Sequence, residues 1–206
     1  MSNQKLVDHL MYNNYLKTKK VIDAFLSVPR EHFVQEEHKQ HAYSDEPLPI
    51  GFKQTISAPS MVAIMLELLN FKPKQNILEI GTGSGWNAAL MSKLADPSKI
   101  YTIEIIPELA KFAKKNMERA GIENVEIIEN DGGIGHKKQQ PYDIIILTCA
   151  AQEVPEELLK QLKIGGTLMA PVGGLQQILT KIERTKNGFE KTRHCGCVFV
   201  PLRRYT

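Results

Sequence analysis

Residues 77–86, Ile-Leu-Glu-Ile-Gly-Thr-Gly-Ser-Gly-Trp, constrain the fold more than any other part of the chain. A short apolar run, a loop with glycine at every second position and a helical pattern follow one another, which predicts a buried strand, a tight turn and a helix. Glycines let a loop approach a ligand closely, and the free N–H groups at a helix start attract negative charge. The pattern predicts a nucleotide-type site, although a tight turn alone would also need glycine.

Beyond residue 76 the chain alternates short apolar runs with helical patterns. We predict strands at 76–80, 99–104, 125–129, 142–148 and 167–170, the last of which follows a Gly165-Gly166 turn. Helices are predicted at 87–94, 108–120 and 155–162. Residues 176–184 and 190–200 are predicted to form an antiparallel hairpin around the Asn187-Gly188 turn signal. Strands separated by helices indicate an α/β fold with a doubly wound, mostly parallel sheet and C-terminal antiparallel strands. Such sheets bind ligands at the carboxyl ends of their strands.

The first 55 residues have a different pattern. Two short amphipathic helices, an irregular proline-containing stretch at 43–54 and a helix starting at Ala58-Pro59-Ser60 are predicted. We expect residues 1–55 to form a helical cap on the sheet edge and residues 56–206 to form the cofactor-binding sheet. A chain of 206 residues with 42% apolar content suits a single domain, 1–206.

Composition argues against several classes of protein. Lys+Arg 26 against Asp+Glu 23 leaves a net charge of +3, which does not support nucleic-acid binding. No apolar run approaches the roughly 20 residues that cross a bilayer, and the N-terminus lacks the apolar region of a signal peptide. The three cysteines cannot all pair. We therefore expect a cytoplasmic protein, with no membrane partner and a monomeric state.

The cysteines are candidates for a metal site or a catalytic nucleophile. His194 lies beside Cys195 and Cys197, but strand alternation puts the cysteines on one face and the histidine on the other, so we predict no metal site. Cys149 follows a strand but lacks an evident base, and a small buried cysteine is the commoner case.

The residues around the glycine loop narrow the choice of ligand. A dinucleotide fingerprint has a third glycine where this chain has Trp86, which argues against NAD and FAD. Glu104, 19 residues beyond Gly85, ends the next predicted strand, where a carboxylate accepts hydrogen bonds from ribose hydroxyls. Asp131 follows the third strand, within reach of an adenine amino group. Together with Glu79, these acids favour a ligand that carries a cation, such as a sulfonium.

Seven motifs extend this picture over nearly the whole chain: Val28-Pro29-Arg30 with His32-Phe33, Asp45-Glu-Pro-Leu-Pro49, Gln54-Thr-Ile-Ser-Ala-Pro59, the 79–86 loop, Tyr142-Asp143-Ile-Ile-Ile, Pro171-Val-Gly173 and Phe199-Val-Pro-Leu202. The chain thereby resembles the class I S-adenosylmethionine-dependent methyltransferases, and within them the protein-L-isoaspartate O-methyltransferase family. The glycine loop is shared by the whole class, whereas the 54–59 and 199–202 motifs are distinctive of the family. Lys53 and Asn130 stand where the family usually has glycine, and Ser60 where it often has histidine, which affects the substrate-side loop more than the reaction class.

The resemblance implies a Rossmann-like methyltransferase fold and a protein repair reaction. A methyl group would pass from S-adenosyl-L-methionine to the free carboxyl of L-isoaspartyl residues in damaged proteins and peptides, leaving S-adenosyl-L-homocysteine. Ser57 would be the catalytic residue. The substrate would contact Gln54, Val200, Pro201 and Leu202. The cofactor would contact Thr55, Ile56, Ser57, Ala58, Glu79, Gly81, Gly83, Gly85, Trp86, Asn87, Glu104, Ile105, Asp131 and Gly132. No general base is needed, because a carboxyl with a pKa near 4 is already ionised at neutral pH.

Three alternatives stay open at this level. The chain could methylate RNA or a small molecule, although Thr148-Cys-Ala-Ala151 replaces the Asn-Pro-Pro-Tyr-type tetrapeptide of amino-methylating relatives. It could bind the cofactor or damaged peptides without catalysis. Ser57 could serve only as the N-cap of the helix that begins near Pro59.

Overall fold

A seven-stranded sheet forms the centre of the structure, a computed structural model that describes residues 2–96 and 98–205. The elements in chain order are α1 (Asn3–Tyr12), α2 (Lys19–Ser27), β1 (Leu48–Gly51), β2 (Gln54–Ile56), α3 (Pro59–Leu68), β3 (Ile77–Ile80), α4 (Trp86–Leu94), β4 (Ile100–Glu104), α5 (Pro107–Ala120), β5 (Val125–Glu129), β6 (Tyr142–Leu147), α6 (Glu156–Gln161), β7 (Leu162–Gly173), β8 (Gln177–Thr185) and β9 (Gly188–Cys197). Short 3-10 turns occupy Arg30–Phe33, Glu36–His41, Gly132–Ile134 and Lys137–Gln139. No helix in the described ranges is long and apolar enough to cross a membrane.

The strand order is β5-β4-β3-β6-β7-β8-β9. Strands β3 to β7 pair in parallel, and β8 and β9 add antiparallel strands at one side. This confirms the predicted fold class. The chain winds outward from β3 in both directions, so the carboxyl ends of β3, β4 and β6 meet at the switch point of the topology, where such sheets bind ligands.

Both faces of the sheet are covered by helices, and alternate residues of each strand point to opposite faces. In β6, Ile144 and Ile146 join the apolar cluster that contains α4 and α5, whereas Ile145 and Leu147 join the cluster that contains α6. All four side chains are buried. The apolar run of this strand therefore reflects burial on two sides, as in other parallel sheets.

The N-terminal helices pack on the helical layer, and the expected position on the sheet edge is wrong. Helices α1 and α2 contact each other and α3, and α2 contacts α4. Every residue of α4 except Lys93 is buried, so this helix needs apolar cover on the side that faces away from the sheet. The rings of Phe25 and Trp86, 5.4 Å apart and edge to face, lie at this contact.

Two expectations about loops are also wrong. Residues 43–54 contain β1, which pairs with β2 in an antiparallel hairpin. Its two-residue turn consists of Phe52 and Lys53 at φ +54° and +59°, without the glycine or asparagine that usually marks such a turn. The Gly165-Gly166 pair lies inside β7, whose pairing with β6 shifts register there, so it forms an irregularity within a strand instead of a turn.

The C-terminal segment returns to the carboxyl end of the sheet. Strand β9 ends at Cys197, earlier than the predicted 200, and residues 198–202 continue without regular structure until they reach Ala150. The amide of Ala150 donates to the Val200 carbonyl at 2.8 Å, and the amide of Leu202 donates to the Ala150 carbonyl at 2.7 Å. These bonds place the 199–202 motif beside the end of β6.

Gly85, the N-cap of α4, is required by its backbone conformation. Its φ is +90°, whereas an added Cβ would lie 2.8 Å from the flexible end of Met117 and 3.4 Å from the Ala113 Cβ of α5. We expect Gly85→Ala to lower the free energy of unfolding by about 1 to 2 kcal/mol through backbone strain. The melting temperature of Gly196→Ala, whose Cβ would meet open space, should stay near that of wild type. An unchanged melting temperature for Gly85→Ala would contradict this account.

Candidate active site

A cavity of about 850 Å³, counted to its open mouth, lies at the carboxyl ends of β3, β4 and β6. It brings together the glycine loop, the segment that precedes α3 and the C-terminal segment. The residues expected at the site that line it are Gln54, Thr55, Ile56, Ser57, Glu79, Gly81, Gly83, Trp86, Asn87, Glu104, Ile105, Gly132, Val200, Pro201 and Leu202. Ala58, Gly85 and Asp131 lie outside this lining.

Several wall residues escaped the sequence analysis: Val62, Met65, Thr82, Ser84, Ile103, Ile106, Leu109, Thr148, Cys149 and Arg203. Thr82 and Ser84 alternate with the loop glycines and could have been found from that spacing. Val62 and Met65 lie on the buried side of α3, where an apolar side chain in a cavity wall has the same sequence signal as one in the core. Apolar side chains of α3, β4 and α5 supply part of the enclosure, and polar groups come from the strand ends, the glycine loop and the segment before α3.

Glu79, at the end of β3, is fully buried and hydrogen-bonded on both oxygens. The Asn87 amide donates to one oxygen at 2.7 Å and the Thr102 hydroxyl to the other at 2.6 Å. The Thr82 and Thr102 hydroxyls lie 2.7 Å apart, which extends the network to the glycine loop. Burial raises the pKa of Glu79 to about 7. The carboxyl can therefore hold either charge state near neutral pH, and a cation in the cavity would favour its ionised form.

Glu104, at the end of β4, joins the glycine loop to the start of α5. The Gly83 amide donates to one carboxylate oxygen at 2.8 Å, and the Ile106 amide donates to the other at 3.0 Å. Burial raises the pKa of Glu104 more than these backbone hydrogen bonds lower it. A carboxylate has about four acceptor positions, so lone pairs are left for a ligand that brings two hydroxyl donors.

Asp131 lies beside the cavity and faces the C-terminal residues. The Gly133 amide donates to one oxygen at 2.8 Å, and the Arg204 Nε and the Tyr205 amide donate to the other at 2.9 and 3.3 Å. Burial raises the pKa of Asp131, but these hydrogen bonds outweigh it, and the pKa lies below its ordinary value. Its neighbour Gly132 reaches the cavity wall.

Ser57 faces the cavity and is not a helix cap. Helix α3 has Ala58 at its N-cap position, without a side-chain hydrogen bond from that residue. The Asp45 carboxylate accepts from the Ser60 amide at 2.8 Å and supplies the capping contact instead. The alternative role considered for Ser57 is therefore wrong.

Cys149, which lines the cavity, is poorly suited to act as a nucleophile. Burial raises the pKa of the Cys149 thiol to about 12, with further contributions from Glu104 and Glu79, so the nucleophilic thiolate is not formed at neutral pH. Cys195 and Cys197 are half-buried, whereas His194 is exposed. Within residues 2–96 and 98–205, histidine, cysteine and acidic side chains form no cluster of three that could hold a metal ion.

Taken together, the strand ends present two buried carboxylates on either side of a glycine loop, at the switch point of a doubly wound sheet. Nothing in this wall is arranged as a nucleophile with its base, so the site is suited to binding and orienting two reactants. This combination of fold and site is that of the class I S-adenosylmethionine-dependent methyltransferases.

Comparison with known proteins gives the particular family. The family model "Protein-L-isoaspartate(D-aspartate) O-methyltransferase (PCMT)" matches residues 1–205, and the chain belongs to this family. Protein-L-isoaspartate O-methyltransferases of Pyrococcus horikoshii and Staphylothermus marinus are 48% and 50% identical to it; each alignment covers 97% of this chain and 91% and 92% of the relative. A solved Plasmodium falciparum structure named as a protein-L-isoaspartate O-methyltransferase, in complex with S-adenosyl-L-homocysteine, has a TM-score of 0.90 at 27% identity and covers 100% of both chains.

The raised pKa of Glu79 makes stability depend on pH. The folded protein holds this proton up to about pH 7, whereas the unfolded chain releases it near 4.5, so stability falls as the pH rises through this window. Glu79→Gln keeps a neutral side chain of the same shape. As the pH rises from 4.5 to about 7, wild type should lose on the order of 3 kcal/mol of its free energy of unfolding relative to Glu79→Gln, measured in urea without cofactor.

The exposed Glu118→Gln is the matched control and should follow the wild-type pH profile. Parallel profiles for wild type and Glu79→Gln would show that Glu79 does not titrate in this range.

Proposed function

We propose that this protein transfers a methyl group from S-adenosylmethionine to the free carboxyl of L-isoaspartyl residues in damaged proteins and peptides. The observation that carries the proposal is the assembly of one cavity from the family's two distinctive motifs. Residues 54–57 and 200–202 form walls of the cavity that also contains the glycine loop. The family match over residues 1–205 supports the same reaction.

The cavity fits S-adenosylmethionine at both its polar ends. Glu104 keeps acceptor positions for the ribose hydroxyls. Most amides of the glycine loop already donate within the protein, so the cofactor's carboxylate would be attracted mainly by the positive end of the α4 dipole. Glu79 supplies negative charge for the cationic part of the ligand. Asp131 would accept from the adenine amino group, and it would then share its carboxylate with Arg204. Bound S-adenosylmethionine supplies the electrophilic methyl group.

The chain's own task is to position and desolvate the substrate carboxylate. That group is ionised at neutral pH, so the reaction needs no general base. The residues that line the cavity agree with this, because no nucleophile among them is paired with a base. Holding two reactants in line is worth up to about 7 to 11 kcal/mol, and removal of water from the carboxylate adds to this. We assign the Ser57 hydroxyl to orienting the substrate carboxylate, with Gln54 and the 200–202 segment holding the peptide backbone.

A peptide target is better supported than a nucleic-acid target at the same site. In amino-methylating relatives, the residues after the β6 position hold the target nitrogen, and here they are Thr148-Cys-Ala-Ala151. Both backbone groups of Ala150 are hydrogen-bonded to the C-terminal segment, and the Ala151 amide donates to the Pro171 carbonyl. This segment therefore has few backbone donors and acceptors left to bind a nucleobase.

The three cysteines are free, which supports our proposal of a reducing, cytoplasmic setting.

A pair of peptides tests the reaction directly. We expect methyl incorporation into a peptide that contains L-isoaspartate and essentially none into its L-aspartyl twin. In isoaspartate the main chain contains one more methylene, and the free carboxyl is attached directly to the α-carbon, so it lies one methylene closer to the backbone than the carboxyl of aspartate does. Incorporation is measured with S-adenosylmethionine labelled in the methyl group. Equal labelling of both peptides would reject the repair function, and binding of cofactor without labelling of either would favour a non-catalytic binder.

Substitution of Ser57 tests its assignment. We expect Ser57→Ala to lower kcat about 10- to 1,000-fold, the loss typical of one positioned polar contact at a reacting centre, with a smaller change in the Kd for S-adenosylmethionine. Ser60→Ala, three residues further along, is the matched control and should keep its kcat. A normal kcat for a folded Ser57→Ala protein would remove Ser57 from catalysis.

A further inference from the structure

Arg30 is the largest fully buried side chain of the structure's described part, and it donates only to backbone carbonyls. Its Nη1 donates to Ala42 at 3.0 Å and to Ser44 at 3.3 Å. Its Nη2 donates to Glu46 at 2.9 Å and to Ser57 at 3.0 Å. One guanidinium thus joins the irregular segment before β1 to the main chain of the proposed catalytic residue.

Such a buried charge is costly unless it is compensated. Burial lowers the pKa of Arg30 to about 10, which still leaves the guanidinium charged at neutral pH. The four carbonyls, the Trp86 ring, whose centroid lies 5.4 Å from the guanidinium carbon, and the nearby carboxylates of Asp45 and Glu46 compensate the charge, whereas the Nε has no hydrogen-bond partner. The planar fork of arginine suits this set of acceptors, whereas a lysine ammonium cannot reach all of them from one point.

Asp45 holds the other end of the same short segment. Its carboxylate accepts from the Ser60 amide at 2.8 Å. Residues 57–60 are therefore fixed at the Ser57 carbonyl by Arg30 and at the Ser60 amide by Asp45. The Arg30 contact fixes the peptide plane next to the Cα that bears the Ser57 side chain, and the Asp45 contact fixes the turn of chain into which that peptide leads.

We infer that Arg30 and Asp45 are positioning residues that fix the Ser57 hydroxyl toward the cavity. The inference rests on the catalytic role proposed for Ser57. Arg30 also contacts Trp86, which lines the cavity and whose Nε1 donates to the Val28 carbonyl at 3.2 Å. The same guanidinium thus contacts both the Ser57 main chain and the Trp86 ring at the start of α4.

Asp45 is the cleaner of the two to test, since its side chain is only half-buried. We expect Asp45→Ala to lower kcat about 10- to 100-fold, because small displacements of a reacting group have effects of this size, and to leave the Kd for S-adenosylmethionine nearly unchanged. Asp45→Asn keeps an oxygen acceptor for the Ser60 amide and should restore kcat to within about threefold of wild type.

Ser2→Ala is the matched control for loss of a helix cap. The Ser2 hydroxyl accepts from the Lys5 amide at the start of α1, away from the cavity. We expect Ser2→Ala to lower the melting temperature about as much as Asp45→Ala does but to keep the wild-type kcat. Arg30→Lys should lower kcat in the same way, with Arg184→Lys as its control, because Arg184 also donates to two backbone carbonyls, at a distance from the site.

A double-mutant cycle separates this inference from the proposed function. If both hold, Ser57→Ala lowers kcat, and adding Asp45→Ala to it causes little further loss. If Ser57→Ala lowers kcat but Asp45→Ala and Arg30→Lys do not, or their effects multiply with that of Ser57→Ala, the positioning role is overturned and the catalytic role stands. If Ser57→Ala leaves kcat unchanged, both are rejected.

Discussion

Helix α4 is the constraint on which the rest of the structure depends, because it has almost no face for water. The sheet covers one side, and only Lys93 reaches the solvent. The other side must be covered by apolar side chains, and α2 provides them. The segments that follow α2 in the sequence, including the β1–β2 hairpin and Ser57, are thereby brought to the same side of the sheet. The need to bury one helix thus places substrate-side residues next to the glycine loop.

Local sequence signals were sufficient for the sheet and its helices. The spacing of apolar residues, together with glycine and proline, marks the run from β3 through the glycine loop into α4. The same signals mark the long amphipathic α5. The β1–β2 hairpin was missed because Phe52 and Lys53 adopt positive φ without any residue that favours it. The position of the cap could not be predicted, since an amphipathic pattern shows that a face is buried but not against what.

The strand ends of the site were equally predictable, because parallel strands bring their carboxyl ends to one rim. Glu79 and Glu104 were found in this way. The contacts of Arg30 were not, because they join residues 12 to 27 positions apart through backbone carbonyls, which have no sequence signal. The pairing of Asp131 with Arg204 spans 73 positions and was invisible for the same reason. The sequence therefore predicted which groups form the site better than it predicted what holds them.

The two edges of the sheet bear on how such a protein behaves among damaged chains. Strand β9, at one edge, exposes Glu190, Lys191 and Arg193, and the short β5, at the other, carries Glu126 and Glu129. Charged side chains on an edge strand discourage the addition of a further strand from another molecule, and the five residues of β5 also leave little edge to pair with. An extended peptide is the kind of chain that can add to an open sheet edge, and the proposed substrates are peptide segments. The charges on β9 and β5 therefore favour binding of such a segment at the cavity over its addition to the sheet.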